Sequence, residues 1–129
     1  MNKLAVDRDR IGSREILDRI ESLKPLIERQ ADANDAATEL STEVIDALEQ
    51  AEVFALTAPR VLGGAEAHPL AVIDALRTLS YFDGSTGWYC QAAITGVAVA
   101  GAFLGDRAVD EIFCAGARAT CAGQAAPSG

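Results

Sequence analysis

The sequence has few of the side chains that usually build a catalytic site. Its 129 residues include one histidine, three cysteines and one tryptophan. His68 precedes Pro69 in a predicted loop without a carboxylate or cysteine motif beside it, which is typical of a surface or helix-entry histidine. The sequence also lacks a phosphate-binding loop, zinc-ligand spacing and a nucleophile elbow. These absences exclude a self-contained site of those kinds, and we predict no catalytic residue and no metal ligand.

Positive charge is scarce as well. Eleven Lys and Arg residues against nineteen Asp and Glu residues give a net charge of −8, and the pI is about 4.5. Nucleic-acid phosphates and anionic membrane surfaces both require Lys and Arg to neutralise them. The composition therefore disfavours both partners, and the acidity indicates solubility rather than a site.

The three cysteines are odd in number and have no metal-ligand spacing; they are Cys90, Cys114 and Cys121. Each lies among apolar neighbours, which predicts buried, reduced thiols rather than a disulfide or a nucleophile. The first ten residues are charged and no apolar stretch follows them, so no signal peptide is predicted. We expect a cytoplasmic protein.

The longest uncharged run lies between Asp83 and Asp106 and opens with Asp-Gly-Ser-Thr-Gly-Trp at 83–88. Asp83 and the two hydroxyls after it can cap a helix start, and the run from Gly84 to Gly105 would span about 33 Å as a helix. Such a helix is expected to be buried all round, in lipid or at the centre of a helical bundle. We favour the bundle, because Ala and Gly dominate the run and Lys or Arg are missing before it.

Apolar residues at helical spacing predict several further helices. One begins at Ser13, and Pro25 either kinks it or opens a second helix. Ser41 is predicted to cap the next helix, Pro69 to lie in the first turn of another, and Asp106 to cap a short one. The core positions expected after Pro69 are Leu70, Ile73, Leu76 and Leu79, with Val72 as a further candidate.

The helical pattern ends near Arg118, and residues 118–125 are typical of a single strand. A lone strand exposes its backbone hydrogen-bonding groups and needs partners, yet no other strand is predicted. We therefore predict an all-α domain of about five to six helices at 13–117. A tail at 1–12 precedes it, and the start of a truncated β-domain at 118–129 follows it.

Trp88 has two interpretations. An indole in the first turn of a buried helix is typical of a core anchor. Alternatively, Trp88 or Tyr89 walls a ligand pocket at the helix N-terminus, where free N–H groups also favour an anion. Composition does not separate the two.

Four stretches, in order along the chain, resemble the N-terminal part of the acyl-CoA dehydrogenase superfamily. They are Leu40–Leu48, Phe54–Gly64, Asp83–Trp88 and Cys121–Gly129. The branch that the set resembles most is the flavin-dependent monooxygenases of that fold, which hydroxylate phenolic or other aromatic substrates. Members are several times longer, with a middle β-domain and a C-terminal helical bundle that drives tetramer formation.

The resemblance implies a flavin, which is FAD in the dehydrogenases and reduced FMN or FADH2 in the monooxygenases, together with a flavin reductase partner. It makes Gln124, Pro127, Ser128 and Gly129 flavin-proximal candidates and Trp88 a substrate-pocket candidate. Most of the flavin site would lie outside this chain, so we expect the chain to be inactive alone.

One departure limits the resemblance. Some phenol hydroxylases of this branch carry a phenol-binding histidine about two turns into the central helix, whereas residues 93–97 here contain none. Two alternatives therefore stay open. One is an FAD-dependent acyl-CoA dehydrogenase acting on an acyl-CoA, and the other is a non-catalytic helical interaction module.

Overall fold

Six α-helices make up most of the described chain. The computed structural model describes residues 12–114 and residue 121. The helices are α1 (Ser13–Ser22), α2 (Lys24–Ala37), α3 (Thr42–Gln50), α4 (Pro69–Phe82), α5 (Gly84–Phe103) and α6 (Asp106–Val109), with 3-10 turns at Val53–Ala55 and Arg60–Leu62 and a π-helical turn at Asp110–Cys114. No strand occurs in residues 12–114, which confirms the helical class. The strand predicted at 118–125 lies outside the described residues, apart from Cys121.

Pro25 opens a second helix and does not kink the first. α1 ends at Ser22, Leu23 links the two helices, and Pro25 lies in the first turn of α2. Proline suits that position because the first-turn N–H groups have no acceptor within the helix. Of the two expectations for Pro25, the second is therefore confirmed.

The predicted cap at Ser41 is confirmed. Its hydroxyl oxygen accepts a hydrogen bond from the Val44 backbone N–H at 3.4 Å. The Ser41 backbone N–H in turn donates to the Asn34 side-chain oxygen at 2.8 Å. Because Asn34 is buried near the end of α2, this bond fixes the start of α3 against the end of α2.

The irregular segment between α3 and α4 is tied to α5. The Thr57 hydroxyl donates to the Ile94 carbonyl oxygen at 2.6 Å. Gly101 lets the Pro59 ring lie close to α5, because a Cβ at Gly101 would come within 2.7 Å of Pro59 Cδ. Gly63 adopts a φ of 86°, a left-handed conformation that glycine reaches without strain.

α4 and α5 are joined at Asp83 and pack against each other as a helical hairpin. Gly87 of α5 permits the close approach, since a Cβ there would lie 2.7 Å from Ser80 Cα. α1 packs against α4, and α2 and the Val53–Ala55 turn pack against the hairpin as well. The buried residues of both helices belong to this one core.

The expected core face of α4 was partly wrong. Ala75, Leu79 and Phe82 are buried, whereas Leu70 and Ile73 are exposed. Apolar residues occur on two faces of α4, so their spacing fits two rotations of the helix. α1 covers the face that contains Leu79, and no described residue buries Leu70 or Ile73.

Within the described chain, the uncharged helix is not buried all round as expected. α5 buries one face, formed by Thr86, Gly87, Cys90, Ala93, Ile94, Val97 and Ala100. Its opposite face is exposed in the described structure. The small inner residues let neighbouring elements approach closely, but those elements cover only one side.

The helix after α5 begins differently from the prediction. α5 ends at Phe103, and Gly105 occupies the cap position of α6, with Asp106 as its first residue and no side-chain cap.

Among the residues that the structure describes, no helix combines the length and hydropathy that a membrane crossing requires.

Candidate functional site

The Asp-Gly-Ser-Thr-Gly-Trp segment at 83–88 starts α5 with a partly buried pair of hydrogen bonds. One carboxylate oxygen of Asp83 accepts from the Thr86 backbone N–H at 2.7 Å and from the Thr86 hydroxyl at 2.6 Å. Thr86 is fully buried, so its hydroxyl needs this partner. Because a carboxylate already occupies this end of the helix, a second anion there would meet like charge.

Trp88 lies on the solvent side of α5, with 74 % of its surface exposed. Its neighbour Tyr89 instead packs inward, with its ring edge-on to Phe54 at a centroid distance of 6.1 Å. The core-anchor interpretation of Trp88 is therefore wrong, and Tyr89 has that place. The structure leaves Trp88 available for contact with a partner or ligand.

The exposed side of α5 is called the outer face below, and it has no charged side chain. Its members are Ser85, Trp88, Gln91, Ala92, Thr95, Val99, Ala102 and Phe103. Val99 is 53 % exposed and Phe103 is 83 % exposed. Twenty helical residues span about 30 Å, so the outer face is long, straight and neutral. Monomeric soluble proteins rarely leave so long an uncharged surface uncovered.

Two polar side chains near the middle of the outer face bond to one another. The Thr95 hydroxyl donates to the Gln91 backbone carbonyl at 2.7 Å, and the Gln91 amide donates to the Thr95 hydroxyl at 3.4 Å. The Gln91 side-chain carbonyl and its second amide proton remain for another partner. The outer face therefore offers a neutral donor and a neutral acceptor within an apolar surround.

The outer face has a neighbour on each flank. α4 lies along one flank, where Gly87 meets Ser80. On the other, Cys121 lies against Gly96, since a Cβ at Gly96 would overlap the Cys121 Cβ. The described chain thus borders the outer face of α5 without covering it.

The buried thiol behind this surface is chemically quiet. Cys90 is fully buried on the inner face, and burial raises its pKa to about 12. A thiol with so high a pKa is not a nucleophile near neutral pH, which agrees with the prediction of an inert, reduced Cys90. Cys121 is half-buried rather than buried. Among the described residues, no three His, Cys, Asp or Glu side chains are grouped to hold a metal ion.

The structure places one of the predicted site residues and tests the role of none. Trp88 is placed on the outer face, whereas Gln124, Pro127, Ser128 and Gly129 lie outside the described residues. Sequence reasoning missed the rest of the outer face. The signal was weak because α5 is apolar all round, so no periodic polar stripe marks which side is bare.

Comparison with known proteins gives two kinds of match. The chain is 34 % identical over 82 residues to the oxygenase subunit HsaA of a flavin-dependent monooxygenase, in two strains of Mycobacterium tuberculosis. Two crystal structures of the HsaA monooxygenase from M. tuberculosis superpose with TM-scores of 0.76 and 0.75, at 27 % and 28 % identity, covering 82 % and 81 % of this chain. No protein-family model matches the chain.

The chain is homologous to flavin-dependent monooxygenases of the acyl-CoA dehydrogenase-like fold. Both sequence and structure support this homology, and the resemblance stated above is confirmed. The sequence match covers 64 % of this chain and 20 % of HsaA. The structural matches cover 29 % and 27 % of the solved HsaA chains, so this chain spans less than a third of its relatives' length.

Proposed function

We propose that this chain forms the N-terminal helical part of a flavin-dependent monooxygenase that hydroxylates an aromatic substrate. One observation supports this most strongly: in a chain homologous to part of HsaA, a 20-residue helix leaves its uncharged side exposed among the described residues. The remaining polypeptide of the longer protein would cover that side and enclose a pocket against it. Ligand pockets are lined in this way, by apolar residues with a few placed polar groups.

The outer face fits one wall of a flavin site but not a phosphate cradle. It carries no charge and no cluster of backbone N–H groups free to bind phosphate, since Asp83 already occupies the N-terminal end. A bound flavin would supply the oxygen chemistry, which belongs to the cofactor. The role left to this chain is to exclude water from that pocket, through Trp88, Val99 and their neighbours, and to orient the substrate.

The outer face also suggests how substrate would be held. Trp88 provides a flat apolar surface for an aromatic ring. Gln91 and Thr95 provide a neutral donor and acceptor for a ring hydroxyl. The absence of a histidine at residues 93–97 is compatible with this neutral pair, and we propose recognition of an uncharged hydroxyl.

Several finer assignments belong to the same proposal. Gln124, Pro127, Ser128 and Gly129 approach the flavin, which is FAD or a reduced FMN or FADH2. A flavin reductase supplies the reduced form, and the full-length protein is a homotetramer. The domain bounds remain 1–12, 13–117 and 118–129. We place the protein in the cytoplasm, where the free cysteines Cys90 and Cys121 stay reduced.

The test compares this chain with a chimera in which it replaces the homologous part of HsaA. The chimera is expected to bind reduced flavin, measured by fluorescence quenching, and the isolated chain to bind it at least tenfold more weakly, since it lacks most of the site. Equal tight binding by both would contradict the proposal. Oxidation of an acyl-CoA by the chimera, without oxygen insertion into an aromatic compound, would favour a dehydrogenase instead.

A matched pair of variants in the chimera tests whether the outer face of α5 lines the pocket. Val99→Asp places a charge on the outer face, where the valine is 53 % exposed, whereas Val61→Asp places one at a more exposed valine, 85 % exposed, in the Arg60–Leu62 turn. Val99→Asp is expected to weaken flavin or substrate binding and to raise hydrogen peroxide release per flavin oxidised. Val61→Asp is expected to change neither. Equal effects of the two variants would remove the outer face from the pocket.

A further inference from the structure

A second exposed stripe runs along α4. We call it the α4 stripe; it consists of Leu70, Ile73, Asp74, Arg77 and Tyr81. Leu70 is 64 % exposed and Tyr81 is 81 % exposed. Unlike the outer face of α5, the α4 stripe has one positive and one negative charge near its middle.

The α4 stripe is complementary to a second copy of itself that runs in the opposite direction. α4 runs from Pro69 to Phe82, so Leu70 is second from its start and Tyr81 second from its end. Asp74 is sixth from the start, and Arg77 is sixth from the end. In two antiparallel copies of α4 related by a two-fold axis, each leucine therefore meets a tyrosine. Each aspartate likewise meets an arginine.

The side chains of the α4 stripe are already arranged for such a contact. Within one copy, the Arg77 guanidinium lies 3.4 Å from the Asp74 carboxylate, and both side chains are largely exposed. A guanidinium has five N–H donors, so it can bind a second carboxylate without releasing the first. The Lys24 ammonium lies 5.9 Å from the centroid of the Tyr81 ring, and this contact favours one ring position.

We propose that the α4 stripe is a docking surface for a second copy of this chain, with the two α4 helices antiparallel across a two-fold axis. Two-fold contacts require the same patch to fit itself, which the order of Leu70, Asp74, Arg77 and Tyr81 satisfies. α4 is about 21 Å long. A contact of one helix per copy is smaller than a standard interface of about 800 Å² per partner, so the dimer is weak and reversible.

Charge reversal tests the pairing through the oligomeric state of this chain, followed by sedimentation velocity over a concentration series. The wild type is expected to shift from monomer to dimer as concentration rises. Asp74→Arg and Arg77→Asp each place like charges opposite one another twice per dimer. Each is expected to lower the association constant by about tenfold. The double variant, Asp74→Arg with Arg77→Asp, restores the pairing and is expected to dimerise like the wild type.

A mixture of the two single variants separates pairing between copies from effects within one copy. Asp74→Arg leaves two positive groups on α4, and Arg77→Asp leaves two negative groups. Each is expected to dimerise with itself about tenfold more weakly than the wild type, but a 1:1 mixture should form a heterodimer at least as readily as the wild type. An effect confined to a single chain would not be rescued by mixing.

The control reverses an exposed ion pair of the same kind elsewhere. Arg107 and Glu111 are 3.2 Å apart on exposed positions near the end of the described chain. Arg107→Glu and Glu111→Arg are expected to leave dimerisation unchanged.

Three outcomes would overturn the proposal. They are a chain that stays monomeric at every concentration, a dimer that ignores the charges of Asp74 and Arg77, and a dimer lost on Val99→Asp instead. The proposal does not depend on the flavin function, because sedimentation measures association without cofactor.

Discussion

The two faces of α5 have similar composition and opposite surroundings. Both lack charge and both are rich in alanine. The inner face lies in the core with α1, α2 and α4, whereas the outer face is exposed from Trp88 to Phe103 in the part of the chain that the structure describes. Lack of charge therefore indicates that a surface will be covered, but not what covers it. On the inner face the chain covers itself, and on the outer face we assign that role to the rest of a longer flavoprotein.

The largest expected difference between the two faces is in stability. Ile94→Ala removes a side chain that is 2 % exposed, and it should lower the free energy of unfolding by about 2–5 kcal/mol. Val99→Ala on the outer face should change it by less than about 0.5 kcal/mol, because Val99 already contacts water. Urea unfolding followed by circular dichroism measures both. Comparable losses would mean that the outer face is covered in solution.

The close approach of α4 and α5 is expected to give a somewhat smaller effect. Gly87→Ala would place a Cβ 2.7 Å from Ser80 Cα, which forces the two helices apart at a cost of about 1–3 kcal/mol. Gly84→Ala is the matched control, since nothing lies within 4 Å of a Cβ there. The same urea titration compares the two variants. A neutral Gly87→Ala would show that the helices adjust without loss.

The cap of α5 should contribute less again. Asp83→Ala removes the acceptor of both Thr86 hydrogen bonds and is expected to cost about 1 kcal/mol, within a range of about 0.5–2. Asp106→Ala should cost less than about 0.5 kcal/mol, because Asp106 makes no side-chain cap. The melting temperatures of the two variants, compared with wild type, report the difference. Equal shifts would contradict the assignment of the α6 cap to Gly105.

Local chemistry in the sequence predicted the helix starts well. Ser41 and Pro69 follow rules that depend on the residue itself and its near neighbours. Asp106 failed because Gly105 took the cap position, a shift of one residue that the sequence leaves open. Pro25 left two alternatives, and packing in the folded chain decided between them.

Which face of a helix is buried was harder to predict than the presence of the helix. Leu70 and Ile73 match the apolar spacing of a core face as well as Leu79 does, yet only Leu79 is buried. For α5, apolar residues on every side give no direction at all. Trp88 shows the consequence, since the sequence left a core position and a pocket position open and the structure places it outside the core. These positions depend on long-range contacts, which neither propensity nor periodicity contains.

The smallest expected effect concerns the buried Cys90 thiol. It changes the free energy of unfolding only at alkaline pH. Burial raises the pKa of Cys90 from 9.0 to about 12, so above pH 9 the unfolded chain loses this proton while the folded chain keeps it. The unfolded state then binds fewer protons, and the free energy of unfolding falls as pH rises from about 9 towards 12. The slope from this one group is roughly 1 kcal/mol per pH unit at most.

Cys90→Ala should remove that slope, whereas Val97→Ala, also on the inner face, should lower stability equally at every pH. Urea titrations at pH 7, 9 and 10 compare the variants with wild type. If the pH profiles of all three proteins were parallel, burial in the core would not raise the pKa of the Cys90 thiol in the folded chain.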